Sequence, residues 1–391
     1  MNDRRPSVEF ALAALLLWAT AGCTSAQVPS SQPVPAYDPV PRDTTRGPRP
    51  SDPPELRRNL RNILGGVPMT ATDSMHQQIV DRLDFDSYKE LIRGLTEFGD
   101  REQGTPRNEA AIDWIESRLR GWGYETARIH YEYAPRVRRG EPPIPPSPRE
   151  EVYATKVGAT RPDQMYIISA HMDGRGGGEA ANDDGSGTAL VMEIARVLAS
   201  SDIVSDVSIR FALWNNEETG LNGSTAYAEQ RAPLQGIEDP PGSGRYPEPR
   251  WLGLIQHDMM MWDHGNPVTY NQALDADVDV EYQLGSELAD YSAMLGIALI
   301  NANRMHATDY PAVLSNAMSN TDSTPFMNVV PSVSLRENRR LYETGSGANP
   351  HWHQKTDLFA TFSDADFMLG LNAAQTTLGA LTELAGIRIE P

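Results

Sequence analysis

Three short apolar runs in the middle of the chain each end on residues that can hold a metal or move a proton. QMYIISA (164–170) leads into His171-Met172-Asp173, VSIRFALW (207–214) into Asn215-Asn216-Glu217-Glu218, and WLGLIQ (251–256) into His257-Asp258. Apolar runs of this length between polar segments read as buried strands. Between the first two, GTALVMEIARVLA puts Leu190, Val191, Ile194, Val197 and Leu198 on one helical stripe. GSTAYAEQ starts a further helix, MNVVPSVSL (327–335) is a further strand, and NEAAIDWIESRLRGWGYE is a helix ending near Gly121 or Gly123. DADFMLGLNAAQTTLGALTELAG is a long amphipathic helix near the end. Strands alternating with helices predict an α/β fold: a mostly parallel, mixed central sheet with helices on both faces, in one domain over 65–391.

In open α/β sheets, functional groups gather beyond the carboxyl ends of the strands. Five loops rich in ligand-type residues are therefore expected at one edge: those after the three runs, the loop AANDDGSG (180–187), and NPHWHQKTD with His351, His353 and Asp357. Singly, each has a plain structural reading. A lone histidine after a strand is usually a hydrogen-bonded loop residue, Glu-Glu suits a helix start, and DDGSG suits a helix cap and glycine turn. Together they would crowd carboxylates that repel one another without cations. Their number and type fit two metal ions sharing a bridging carboxylate, with one further carboxylate left unligated as a base. Glu217 and Glu218 are placed to supply one of each.

In order along the chain, SAHMDGRGGGEAANDDGSGTALVMEIARVLA, IRFALWNNEETGLNGSTAY, IQHDMMMW, NTDSTPF and HWHQKTD resemble the co-catalytic zinc aminopeptidases of metallopeptidase family 28. Glutamate carboxypeptidase and glutaminyl cyclase are relatives within that family. The resemblance covers roughly 75–385 and includes EFGDREQGTPRNEAAIDWIESRLRGWGYE as the family's opening helix region. It implies the zinc-exopeptidase, phosphorylase/hydrolase-like form of the fold and two Zn2+ ions, with Co2+ or Mn2+ as substitutes. One metal would take His171, Asp183 and Asp258, and the other Asp183, Glu218 and His353, with Asp183 the bridge. The resemblance also implies Glu217 as general base, a cis peptide bond between Asp183 and Asp184, and Asp173 hydrogen-bonded to His171 to fix its tautomer. Asp184 is expected to be a turn residue or helix cap, and cheaper to replace than Asp183.

Several positions depart from the family pattern. Trp352 stands where Tyr is frequent, so that hydroxyl is not there to assist an oxyanion. His257 replaces a small polar residue, and TDS (321–323) replaces Ser-Asp-His, which leaves Asp322 behind the ligands at most. His351 rivals His353, and the H-x-x-x-D spacing to Asp357 favours His353. The resemblance implies an exopeptidase acting on a peptide substrate, an aminopeptidase first, with a carboxypeptidase or dipeptidase as the alternative. Arg336, Arg339 and Arg340 would serve a carboxypeptidase, although surface charge is their plain reading. Single-zinc glutaminyl cyclase chemistry and a non-catalytic binding module both conflict with a complete ligand set. A serine hydrolase lacks its Gly-x-Ser-x-Gly turn around Ser186, and a phosphate loop lacks its lysine.

The formal charge of −19 argues against nucleic acid as a partner. The first 23 residues read as a secretory signal: Arg4 and Arg5, then an apolar run from Phe10 to Trp18. Ala21-Gly22-Cys23 resembles a lipoprotein cleavage box, and Cys23 is the single cysteine, so no disulfide within the chain is possible. Residues 24–64 read as a Pro-rich tether. The expected location is the cell envelope, periplasmic or extracellular, with membrane contact only through a lipid on Cys23. The Pro-rich stretches 138–151 and 233–250 are expected to be surface loops.

Overall fold

The computed structural model describes residues 70–137, 139–262, 278–307, 309–316, 318, 320–337 and 349–390. The signal segment, Cys23, the tether, Arg339 and Arg340 lie outside the described residues. In chain order the helices are α1 (Ala71–Val80), α2 (Phe85–Thr96), α3 (Pro106–Gly121), α4 (Gly185–Leu198), α5 (Asn222–Arg231), α6 (Ala289–His306) and α7 (Asp364–Leu384). The strands are β1 (Thr126–Tyr133), β2 (Ser147–Lys156), β3 (Arg161–His171), β4 (Ile203–Val204), β5 (Val207–Trp214), β6 (Arg250–His257), β7 (Val278–Glu281), β8 (Ala312–Ser315), β9 (Ser332–Arg336) and β10 (Arg388–Ile389). Eight strands form one sheet in the order β1-β2-β5-β3-β6-β9-β7-β8. The central β5-β3-β6-β9 block is parallel, and antiparallel pairings flank it at β1-β2-β5 and β9-β7.

The two faces of the sheet are legible in alternating side chains. On β3, Ile168 and Ala170 join the larger core, while Met165 and Ile167 join a smaller one. On β5, Ile209, Phe211 and Leu213 face the larger core, and Ala212 and Trp214 the other. Period-two alternation with both sets buried is what a sheet covered on both sides requires. The larger core includes buried residues of α1 to α4 and α7. The smaller is aromatic, with Tyr227 of α5 stacked on Trp251 and edge-on to Trp214.

Three expectations need correction. The strand predicted over 327–335 begins only at Ser332. Pro331 has no N–H for the ladder and serves only as acceptor, from Leu254 N at 2.9 Å. The loop predicted over 138–151 gives way to β2 at Ser147. Pro148 is tolerated there because β2 pairs with β5 only from Val152 onward, so its missing donor lies where β5 does not reach. Finally, α7 is not amphipathic in its setting. It is buried continuously from Asp366 to Thr382, because α1, α2, α4 and α6 all pack on it. Among the described residues no helix is long and apolar enough to cross a membrane.

Candidate metal centre

Parallel pairing aligns the carboxyl ends of β3, β5, β6 and β9. His171 is paired with Trp214, and His257 with Leu335. The residues that leave these ends are thereby brought together. Two sets of three result: His171, Asp183 and Asp258, and Asp183, Glu218 and His353, each with ligand atoms within 4.8 Å of one another. Asp183 belongs to both. Its Oδ1 lies 3.3 Å from His171 Nε2 and its Oδ2 lies 3.1 Å from His353 Nε2. His353 Nε2 is also 2.9 Å from Glu218 Oε2, and His171 Nε2 is 3.8 Å from Asp258 Oδ1. His351, the rival, is turned away, with its Nδ1 against Thr356 Oγ1 and its ring against Trp262 and Phe362.

The donor set fits metal ions. Asp183 Oδ2 and Glu218 Oε1 are buried and accept no hydrogen bond among the described residues, even with His353 beside the former. Buried carboxylate oxygens without donors are costly unless a cation takes their lone pairs. In the metal-free protein the histidines take protons instead. Burial opposes a charge on His353, yet Asp183 and Glu218 outweigh it and push its pKa up to about 9. Burial likewise opposes a charge on His171, and the surrounding carboxylates raise it well above the usual range. Glu217, next to Glu218, belongs to neither set. Burial pushes its carboxyl well up; His171 opposes this, and Asp322, Asp258 and Glu218 add to it.

The backbone bond between Asp183 and Asp184 is cis, as the family resemblance implies. Asp184 caps α4 through Gly187 N at 2.9 Å, but it is more than a cap. The same fully buried carboxylate accepts from His171 N at 3.1 Å and from Met259 N at 3.1 Å. It caps the helix as expected and also ties together the three segments that carry His171, Asp183 and Asp258.

Asp173 also departs from expectation. The partner of His171 Nδ1 is the backbone carbonyl of Asp173, at 2.9 Å, while the nearer carboxylate oxygen is 3.7 Å away. A ring N–H donated to that carbonyl leaves Nε2 facing Asp183 and Asp258. The Asp173 carboxylate instead accepts from Glu217 N and Glu218 N, at 3.1 and 3.4 Å, and so holds the turn after β5. Asp357 accepts from Asn182 N and Asp183 N. Asp322 accepts from Ser224 Oγ, and burial lifts its pKa to about 7. His257 is fully buried between Ser169 O and Thr377 Oγ1, and burial drops its pKa to about 4. It takes no part in either set. Trp352 lays its ring on His353, with centroids 4.3 Å apart.

Two residues have roles that the sequence reading missed. Arg336 is not surface charge. It is buried, and its Nη2 donates to Asp258 Oδ2 at 2.7 Å, beside Thr321 Oγ1 at the same distance. Burial opposes its charge, but Asp258, Glu281, Glu217 and Asp183 keep it protonated. With Oδ2 so occupied, Asp258 presents Oδ1 toward His171. The rule that finds the candidate ligands, the residue leaving a strand's carboxyl end, finds Arg336 too. Arg101 is fully buried and donates to Met172 O, Glu179 O and Ala180 O, pinning both ends of the loop between His171 and Asp183. Gly176 lets that loop press against the His353 segment. A Cβ there would lie 2.5 Å from the His353 carbonyl carbon, and its φ of +102° also favours glycine.

A cluster of imidazoles and carboxylates at the carboxyl edge of a mixed α/β sheet makes this a candidate metal centre. Residues 151–371 match Peptidase family M28, and the chain belongs to that family. A probable zinc metalloprotease of Pyrenophora tritici-repentis is 31% identical over 179 residues, which cover 42% of this chain and 36% of that protein. The chain thus spans about a third of the length of the first such relatives. In fold it resembles a zinc aminopeptidase from Bacillus subtilis, with TM-score 0.59, 15% identity, and 77% of this chain and 95% of that one covered. It resembles a Porphyromonas gingivalis glutaminyl cyclase comparably, with TM-score 0.55, 20% identity, and 78% and 99% covered.

Proposed function

We propose that the chain is a zinc exopeptidase, and in particular an aminopeptidase, that cleaves peptide bonds at a two-metal centre. The observation that carries this reading is Asp183 shared between two complete ligand sets, with Glu217 adjacent and outside both. His171, Asp183 and Asp258 would hold one ion, and Asp183, Glu218 and His353 the other. Such a pair supplies Lewis acidity and water made acidic near neutral pH. Glu217 receives the proton of the attacking water and returns it to the leaving amine. Asp173 keeps Glu217 in place through the backbone of the turn, and Arg336 and Thr321 fix the orientation of Asp258.

Fold likeness does not separate aminopeptidase from cyclase, whereas the second ligand set favours the two-metal hydrolase. A panel of free-amine and N-blocked chromogenic peptides tests the reading, with metal content measured alongside. Cleavage confined to free amines is expected, and cleavage confined to blocked peptides would overturn it. Glu217→Gln should keep its metal and lose nearly all turnover, and undiminished turnover would remove Glu217 from the role. We further propose export and lipid anchoring through Cys23, supported by the sequence of residues 1–23. Labelling with a fatty-acid analogue in the parent, absent in Cys23→Ser, checks it; equal labelling of both would refute it.

A further inference from the structure

In a chain of net charge −19, two exposed cations stand at the rim of the metal centre. Arg175 is half exposed. Its Nη1 donates to the backbone carbonyl of Glu218 at 3.2 Å, and its Nε is 3.9 Å from Glu218 Oε2. The second distance is beyond hydrogen-bond range, so the guanidinium is anchored by a neutral carbonyl and keeps most of its five donors for another acceptor. Lys355 lies on the neighbouring loop. A Cβ built on Gly177 would be 3.8 Å from its Cε, so the Lys355 side chain lies against the loop that carries Arg175. Among the described residues Lys355 pairs with no carboxylate. Between them the chain passes through His353, against which Gly176 is pressed.

The plain reading is a solvated arginine that props the Glu218 turn. It accounts for the carbonyl bond but not for a second cation on the same rim of an acidic protein. With its nearest carboxylate, Glu218, beyond hydrogen-bond range, the planar fork of Arg175 suits a planar anion. We infer that Arg175, with Lys355 beside it, receives a carboxylate of the substrate on the Glu218–His353 side of the centre. This rests on the peptidase reading and adds a substrate class to it. A carboxylate on Arg175 would lie within about two extended residues, ~7 Å, of the Glu218 side chain. The favoured substrates are therefore dipeptides and tripeptides with a free C-terminal carboxylate, or peptides with an acidic side chain just beyond the scissile bond.

The test measures binding to the metal-loaded Glu217→Gln protein by calorimetry and, separately, kcat/KM of the otherwise unaltered enzyme. The probes are a free-amine dipeptide, its C-terminal amide, and an amide whose second residue is glutamate. The acid should bind and be cleaved better than its amide by about tenfold or more. Adding Arg175→Gln should bring the acid-to-amide ratio to about one, Arg175→Lys should keep part of it, and Lys355→Gln should lower it less. If the glutamyl amide matches the free acid, the pocket reads a side-chain carboxylate; if it behaves as the plain amide, the pocket reads the C-terminus. Equal binding of acid and amide would overturn the inference, as would a ratio unmoved by Arg175→Gln, which would leave Arg175 as a prop for Glu218. Selective binding without any turnover would uphold the inference and defeat the peptidase reading instead.

Discussion

Replacing Asp184 tests whether one carboxylate holds the centre's backbone in register. The side chain is fully buried and accepts three backbone N–H groups, from His171, Gly187 and Met259. Asp184→Ala orphans all three, at about 1–3 kcal/mol each for a buried donor left unpaired. Removing a buried anion beside Asp183 and Asp258 returns part of this, since burial, Asp258 and Asp183 all push the Asp184 pKa up while His171 opposes them. The net loss should be on the order of 3–6 kcal/mol. Asp184→Asn keeps Oδ1 for Gly187 and Met259 and turns an amide N–H toward His171 N, so roughly one bond of the three is lost, about 1–3 kcal/mol. Urea unfolding of chelator-treated protein reads these differences without the stabilisation that metal binding adds. Losses below about 1 kcal/mol for Ala, or equal losses for Ala and Asn, would refute the argument.

His257 should give the stability of the protein a step in mild acid. Its pKa is about 4 when folded against a usual 6.5, so as pH falls the unfolded chain takes up the proton first. The His257 contribution to stability should therefore fall between pH 6.5 and 4, by about 3 kcal/mol. His257→Asn should flatten this part of the urea-midpoint profile, and an identical profile would remove His257 as the cause. Metal affinity should also depend on pH. His353, with a pKa of about 9 in the metal-free protein, must lose its proton to become a ligand. Below pH 9, affinity at the Asp183–Glu218–His353 set should rise with pH, by about tenfold per unit for each ligand that must shed a proton: His353 throughout, and Glu218 as well below about pH 7. Chelator competition at pH 6, 7 and 8 measures this, and a flat result would exclude His353 as a ligand.

The central strands were legible because each is an apolar run that ends on charged or imidazole groups, and parallel pairing converts that sequence pattern into one edge. The flanking strands were not. β7 (VDVE) and β8 (AVLS) have four residues each, too short for a period to show. β2 opens within a Pro-rich stretch that reads as loop until its partner is known. Within the site, the ligand types announced themselves, but their supports did not. Arg336 and Asp258 are 78 positions apart, and an arginine after a strand reads as surface charge until β9 is placed beside β6. Asp173 was expected to hold the His171 ring, yet its carboxylate acts on the backbone of Glu217 and Glu218. Loop backbones have no sequence period, so only the folded chain shows which donors a carboxylate reaches.

The shared role of Asp183 is the claim on which the rest depends. Metal content per chain, measured by elemental mass spectrometry after chelation and reloading with Zn2+, addresses it most directly. The parent protein should hold two ions, and Asp183→Asn should hold at most one under the same conditions. A parent that saturates with a single ion, or an Asp183→Asn protein that still takes two, would contradict the account.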